Sequence, residues 1–133
     1  METGDTFFVK GITGDRTRRG AHLQIIICIR GSGGDLALIP VTTNPKGDVT
    51  TKILATEHPA LGQKLSYLFY AKARKQIGGE SSLTKAFAKG LAEPSEPLSV
   101  ELIARVLRGA VSSDYSPDWL VKVATNEIER LGL

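Results

Sequence analysis

Three consecutive pieces of the chain, His22-Leu-Gln-Ile-Ile-Ile-Cys-Ile-Arg30, Gly31-Ser-Gly-Gly34 and Asp35-Leu-Ala-Leu-Ile-Pro-Val-Thr-Thr43, decide the fold. Two apolar, β-branched runs joined by a glycine-rich turn read as an antiparallel hairpin of buried strands. A hairpin sets the start of its first strand beside the end of its second. His22 and the pair Thr42 and Thr43 are therefore expected as neighbours, an imidazole beside hydroxyls at the rim of a small sheet. Each has a plainer reading, since a histidine at a strand start caps loop carbonyls and threonine is a good strand former. Their coincidence at one rim marks a candidate site.

Outward from the hairpin, Thr6-Phe-Phe-Val-Lys10 is a short strand after the Gly4-Asp5 turn, and Gly11 to Ala21 is an aperiodic loop carrying Arg16, Arg18 and Arg19. Downstream, Asn44-Pro-Lys-Gly47 has turn chemistry, Val49 to Leu54 reads as a strand, and Thr56 to Pro59 as a polar loop. Lys64 to Gln76 reads as one more strand, with Tyr67 and Phe69 on one face and Tyr70 on the other. Gly78-Gly79 breaks it. Ser81 to Lys89 is a short helix, and Glu93-Pro-Ser-Glu-Pro97 a rigid polar linker. Ser99 caps a helix with an apolar stripe of Leu102, Ile103, Val106, Leu107, Ala110 and Val111. A last helix starts at Ser116-Pro117-Asp118, stops at Gly132 and buries Leu120, Val123, Ala124, Ile128 and Leu131.

Strands first and helices later predict an α+β domain, mainly β over 1–77 and mainly helical over 78–133. A chain of 133 residues, 41% hydrophobic and 23% charged, suits one globular domain with its own core. The longest apolar run is too short to span a bilayer. Met1 to Asp5 shows no basic segment leading into an apolar one, so no secretory signal is expected. A single cysteine, Cys28, cannot close an internal disulfide and points to a reducing, cytoplasmic setting. The net charge of +3 permits a polyanionic partner, and Arg16, Arg18, Arg19, Lys46, Lys64, Lys72, Arg74 and Lys75 all fall in the first part of the chain. No His, Cys, Asp and Glu spacing fits a metal site, and no glycine loop fits a nucleotide phosphate.

In order, the opening Gly4-Asp5, the loop, the Ile25–Ile29 strand, the strand end at Val41-Thr42, His58-Pro59, Ser66 with Tyr70, and the helix after Leu98-Ser99 resemble the MazF/PemK family of toxin endoribonucleases. The resemblance runs from Gly4 to about Ser113. The chain is similar to a histidine variant of the pattern: His22-Leu23 stands where the family usually has an arginine–proline pair, and Thr42 where it has a threonine or serine. The resemblance implies a small SH3-like β-barrel with C-terminal helices and a metal-independent ribonuclease acting on single-stranded RNA without a cofactor. It also implies a symmetric homodimer and a cognate antitoxin protein. Such cleavage uses the ribose 2′-hydroxyl as nucleophile, so the protein must take a proton, stabilise phosphate charge and protonate the leaving oxygen. An imidazole titrating near neutrality suits the proton work, which assigns His22 as catalytic with Thr42 on the phosphate. Arg18, Arg19, Thr43, Lys46, His58, Ser66 and Tyr70 are then the expected substrate-binding residues, Tyr70 as a stacking surface. A second expectation, of a different class, is a catalytically silent barrel that binds nucleic acid or a protein partner.

Overall fold

The computed structural model describes residues 1–9, 23–61 and 64–133. Among them are seven strands and three helices: β1 (Thr6–Val9), β2 (Leu23–Cys28), β3 (Leu36–Thr42), β4 (Lys52–Ile53), β5 (Ser66–Leu68), β6 (Arg74–Gln76), α1 (Gly79–Ala88), β7 (Ala92–Ser95), α2 (Val100–Ser112) and α3 (Asp118–Leu131). The α+β expectation holds. The path of paired strands is β4-β5-β3-β2-β1-β7, every pair antiparallel, with β6 also on β3. Its ends, β4 and β7, are not paired with each other among the described residues, so the strands described do not close into the expected barrel.

The hairpin forms as the sequence predicts, with Gln24 opposite Pro40 and Cys28 opposite Leu36. All six residues of β2 are buried, because both faces of this strand are covered. On one face Leu23, Ile25, Ile27, Ile39, Val41, Ile53 and Leu68 pack under α2 and α3 through Leu102, Val106, Leu107, Ala110, Leu120 and Ala124. The other face, with Phe7, Ile26, Cys28, Leu36 and Leu38, is covered at one end by Leu83 of α1. Phe87 meets Phe7 edge to face, centroids 6.1 Å apart.

The helices follow local rules. Ser99 Oγ accepts the Leu102 N–H at 3.2 Å and caps α2. Gly132, at φ +69°, ends α3 in the left-handed conformation that glycine adopts freely. α3 packs on α2, as its stripe requires, although Val111 and Leu131 lie exposed. Ser116 precedes α3 without capping it, and its hydroxyl is buried with no partner among the described residues. No helix among the described residues is long and apolar enough to cross a membrane.

Three segments differ from the sequence reading. The strand expected over Val49 to Leu54 shrinks to Lys52–Ile53, because Asp48 Oδ1 draws in the Thr50 N–H at 2.9 Å and curls the chain before β4. The strand expected over Lys64 to Gln76 is split by a 3₁₀ turn at Tyr70–Lys72. Burial of the Tyr70 ring in the core forces that turn. The linker at Glu93 to Pro97 is instead largely strand: β7 pairs with β1, and Pro94 is tolerated because β7 is an edge.

A buried carboxylate closes the structure at the chain's two ends. Glu127 of α3 is 1% exposed and accepts from Thr3 Oγ1 at 2.6 Å, Arg130 Nε at 2.8 Å and Arg30 Nε at 3.2 Å. Burial alone would raise its pKa. The hydrogen bonds and charges from Arg130, Thr3 and Arg30 outweigh burial and hold the carboxyl below its ordinary range.

Candidate nucleic-acid interface

Strand register builds the site. Thr42 lies opposite Tyr67, and Tyr67 lies opposite Lys52, so the three form a row across β3, β5 and β4. Residues directly opposite in antiparallel pairs share a face. This is the face that carries α1 at its other end, and at the Thr42 end no helix covers it among the described residues. Thr42 is half-buried, and its Oγ1 accepts the Asn44 N–H at 3.1 Å. Asn44 Oδ1 in turn accepts the Lys46 N–H at 3.0 Å, which fixes Lys46 on the rim. Accepting that bond leaves the Thr42 hydroxyl proton free to donate.

Three exposed lysines lie in or next in sequence to these strands: Lys46 in the turn after β3, Lys52 in the row, and Lys64 just before β5. None has an ion pair among the described residues. That separates the rim from the larger concavity nearby, a shallow groove of about 500 Å³ between residues 50–51 and α2, where Arg105 and Arg108 lie. Arg105 there is taken by Glu57 at 2.7 Å and by the Lys52 carbonyl at 3.2 Å. Its charge is answered within the fold, whereas the rim's is not.

The structure brings Thr42, Thr43 and Lys46 to one place and removes three other expected site residues. His58 is buried, Nδ1 accepting the Ala60 N–H at 3.1 Å and Nε2 donating to the Glu96 carbonyl at 2.6 Å. Both ring nitrogens are used, so this imidazole joins the turn at Pro59 to the end of β7 and binds no substrate. Ser66 points into the core on the Ile53 side and donates to the Lys64 carbonyl at 3.4 Å. Tyr70 is wholly buried: its hydroxyl donates to the Val106 carbonyl at 2.8 Å and lies 2.7 Å from Thr51 Oγ1. Burial first of all drives its pKa far above the ordinary tyrosine value, with the Thr51 bond pulling weakly the other way. It is a core anchor and offers no face to a base. His22, Arg18 and Arg19 lie outside the described residues, as does the loop from Gly11 to Ala21.

Sequence reasoning missed Lys52, and it gave Tyr70 an outward position, whereas Phe69 is the half-buried aromatic of this face and Tyr67 lies on the same face but buried. The signal was strand parity: Leu68 is core, so 67 and 69 turn away from it. Among the described residues no group of three or more His, Cys, Asp and Glu is placed to hold a metal ion. No protein-family model matches the chain, and neither a curated protein nor a solved structure matches it.

Proposed function

We propose that the protein is a metal-independent endoribonuclease of the toxin–antitoxin type, a small SH3-like barrel of the MazF/PemK kind that cleaves single-stranded RNA at the Thr42 rim. The observation that carries this is the row Lys52–Tyr67–Thr42, flanked by Lys46 and Lys64 with no described acidic partner. A phosphate there meets cations and a hydroxyl with a proton to give. The chain has two histidines, and His58 spends both nitrogens in the core, which leaves His22 as the general base. The ribose 2′-oxygen gives its proton to His22 and attacks phosphorus. The P–O5′ bond breaks, the 5′-oxygen takes a proton from water, and a 2′,3′-cyclic phosphate remains. Arg18 and Arg19 bind the incoming backbone.

Incubation with mixed RNA in chelator tests this. Cyclic-phosphate ends are expected, with His22→Ala and Thr42→Ala each slower by about a hundredfold or more. Intact RNA at high protein, or full activity in a folded His22→Ala variant, overturns the mechanism. One observation favours a binding-only role instead: His22-Leu23 stands where the resembled family usually has an arginine–proline pair. RNA retention without cleavage is its signature. The ribonuclease reading carries a cytoplasmic site of action, a cognate antitoxin and a homodimer with a shared groove. A light-scattering mass near the chain's own 14.3 kDa sinks the shared groove.

A further inference from the structure

β4, β6 and β7 each have one side without a strand partner among the described residues, and two of these edges are closed in other ways. β7 carries Pro94, which has no N–H to offer. On β4 the Lys52 carbonyl accepts from Arg105 at 3.2 Å. β6 has neither device: Arg74, Lys75, Gln76 and the adjoining Ile77 are all exposed, Ile77 at 70%. Register fixes which of its backbone groups face out. Ile26 gives its N–H to the Asp5 carbonyl at 2.9 Å and accepts the Gly4 N–H at 2.8 Å, so it bonds away from Leu38. Bonded and non-bonded pairs alternate along antiparallel strands. Leu38 therefore bonds Arg74 on its other side, and Lys75, one residue on, turns its N–H and C=O to the free edge. The N–H and C=O of Ile77 also have no partner among the described residues.

Charge on this edge is of one sign. Lys72, Arg74 and Lys75 have no ion pair among the described residues. Asp35 and Glu80 are engaged elsewhere: Asp35 Oδ1 accepts the Gly78 N–H at 2.8 Å, and Glu80 pairs with the amino terminus at 3.3 Å. A second copy laid antiparallel about Lys75 would set that lysine against its own twin, which is destabilising. RNA would answer the cations without supplying the alternating donor and acceptor that a peptide strand brings. We propose that β6 is a docking edge for an acidic, extended segment of a partner protein, which adds to the sheet as an antiparallel strand. Its backbone bonds the N–H and C=O of Lys75 and continues to Ile77. Its carboxylates stand opposite Arg74 and Lys75, and an apolar residue covers Ile77. The inference does not rest on RNA binding, since β6 pairs with Leu36 to Leu38 and stops four residues short of Thr42 on β3.

The probe is a capped heptapeptide, Thr-Val-Thr-Glu-Glu-Val-Thr, whose first valine falls opposite Ile77 and whose glutamates fall opposite Lys75 and Arg74. It is titrated into the isotope-labelled whole chain and followed by amide NMR. The amides of Lys75 and Ile77 are expected to shift, with a dissociation constant of about a millimolar or below. Methylating the backbone nitrogen of the glutamate opposite Lys75 removes the N–H that the Lys75 carbonyl accepts, and should weaken binding about tenfold. Exchanging both glutamates for lysine should weaken it by about as much. Arg74→Glu combined with Lys75→Glu should reverse the preference between the acidic and basic peptides. The methylated peptide needs no variant, so it decides the matter if the double variant fails to fold. No shift at these amides at about ten millimolar peptide, or equal binding of the methylated peptide, overturns the proposal. Shifts there on diluting the protein alone would show self-pairing, and shifts with a uridine octamer but not with the peptide would show an RNA surface. Either result overturns it too.

Discussion

The polar cluster beneath α2 and the polar rim at Thr42 use the same residue types to opposite ends. Beneath α2, the Tyr70 hydroxyl is shared between Thr51 and the Val106 carbonyl, and Ser113 Oγ donates to Asp48 Oδ2 at 2.5 Å while accepting the Tyr115 N–H. Each of these side chains is buried and partnered. At the rim, the Thr42 hydroxyl proton, the ammonium groups of Lys46, Lys52 and Lys64, and Gln24 Oε1 have no partner among the described residues. A satisfied buried network fixes geometry, since any loosening leaves a dry polar atom unpaired. An unsatisfied rim is cheap where water reaches it and available to a ligand. Position in the sheet, more than residue type, separates scaffold from site.

The sharpest way to break the comparison is to disturb the interior cluster. Gly109 of α2 lies against it so closely that an added Cβ would stand 1.8 Å from Thr51 Oγ1 and 2.4 Å from the Tyr70 hydroxyl. Gly109→Ala must push both groups apart, overpacking the core and breaking the shared hydroxyl bonds. We expect a loss of about 3 kcal/mol, a fall in Tm of roughly 10 °C. A melt within a degree or two of wild type would show the cluster to be soft and remove the distinction.

Legibility in the sequence tracked how local the deciding forces were. The hairpin, the Ser99 cap and the α2 stripe depend on residues a few positions apart, and they stand where periodicity and turn chemistry put them. β7 was unreadable because Ala92-Glu-Pro-Ser95 has little strand propensity; β1 and the shared Glu96 carbonyl, bound by Thr6 and His58, make it a strand. Distant partners also decided His58 and Tyr70. Glu96 lies thirty-eight residues from His58, and Val106 thirty-six from Tyr70. Thr42 and Thr43 were legible as a rim because hairpin geometry is local, whereas their neighbour Lys52 comes from another strand, β4, through Tyr67 of β5.

Glu127 sharpens the comparison from a third side, as an interior charge held by arginines that are about 40% exposed. Its pKa is lower folded than unfolded, so its contribution to stability is complete above the ordinary glutamate value of about 4.3 and fades as pH falls through the lower, folded value. Glu127→Gln should cost about 1 kcal/mol near neutrality, solvent at the arginines weakening the pairing. The gap between wild type and variant should close on acidification below about pH 4. Melts at pH 7, 5 and 3.5 check this, and a gap that stays constant across them removes the carboxylate from the clamp.

The smallest effect on stability is expected where the effect on binding is specific. Lys46, Lys52 and Lys64 have no ion pair to lose among the described residues, so replacing each by alanine should change stability by under about 0.5 kcal/mol. The Lys52 carbonyl that holds Arg105 belongs to the backbone and survives the substitution. Each lysine that touches a phosphate releases a counterion on binding, so its removal should flatten the slope of log affinity against log salt by about 0.7 for a single strand. The triple variant should therefore melt like wild type and yet lose roughly two units of slope. An unchanged slope places the RNA elsewhere on the surface. A large fall in Tm means that these lysines hold the fold, and that the rim is scaffold after all.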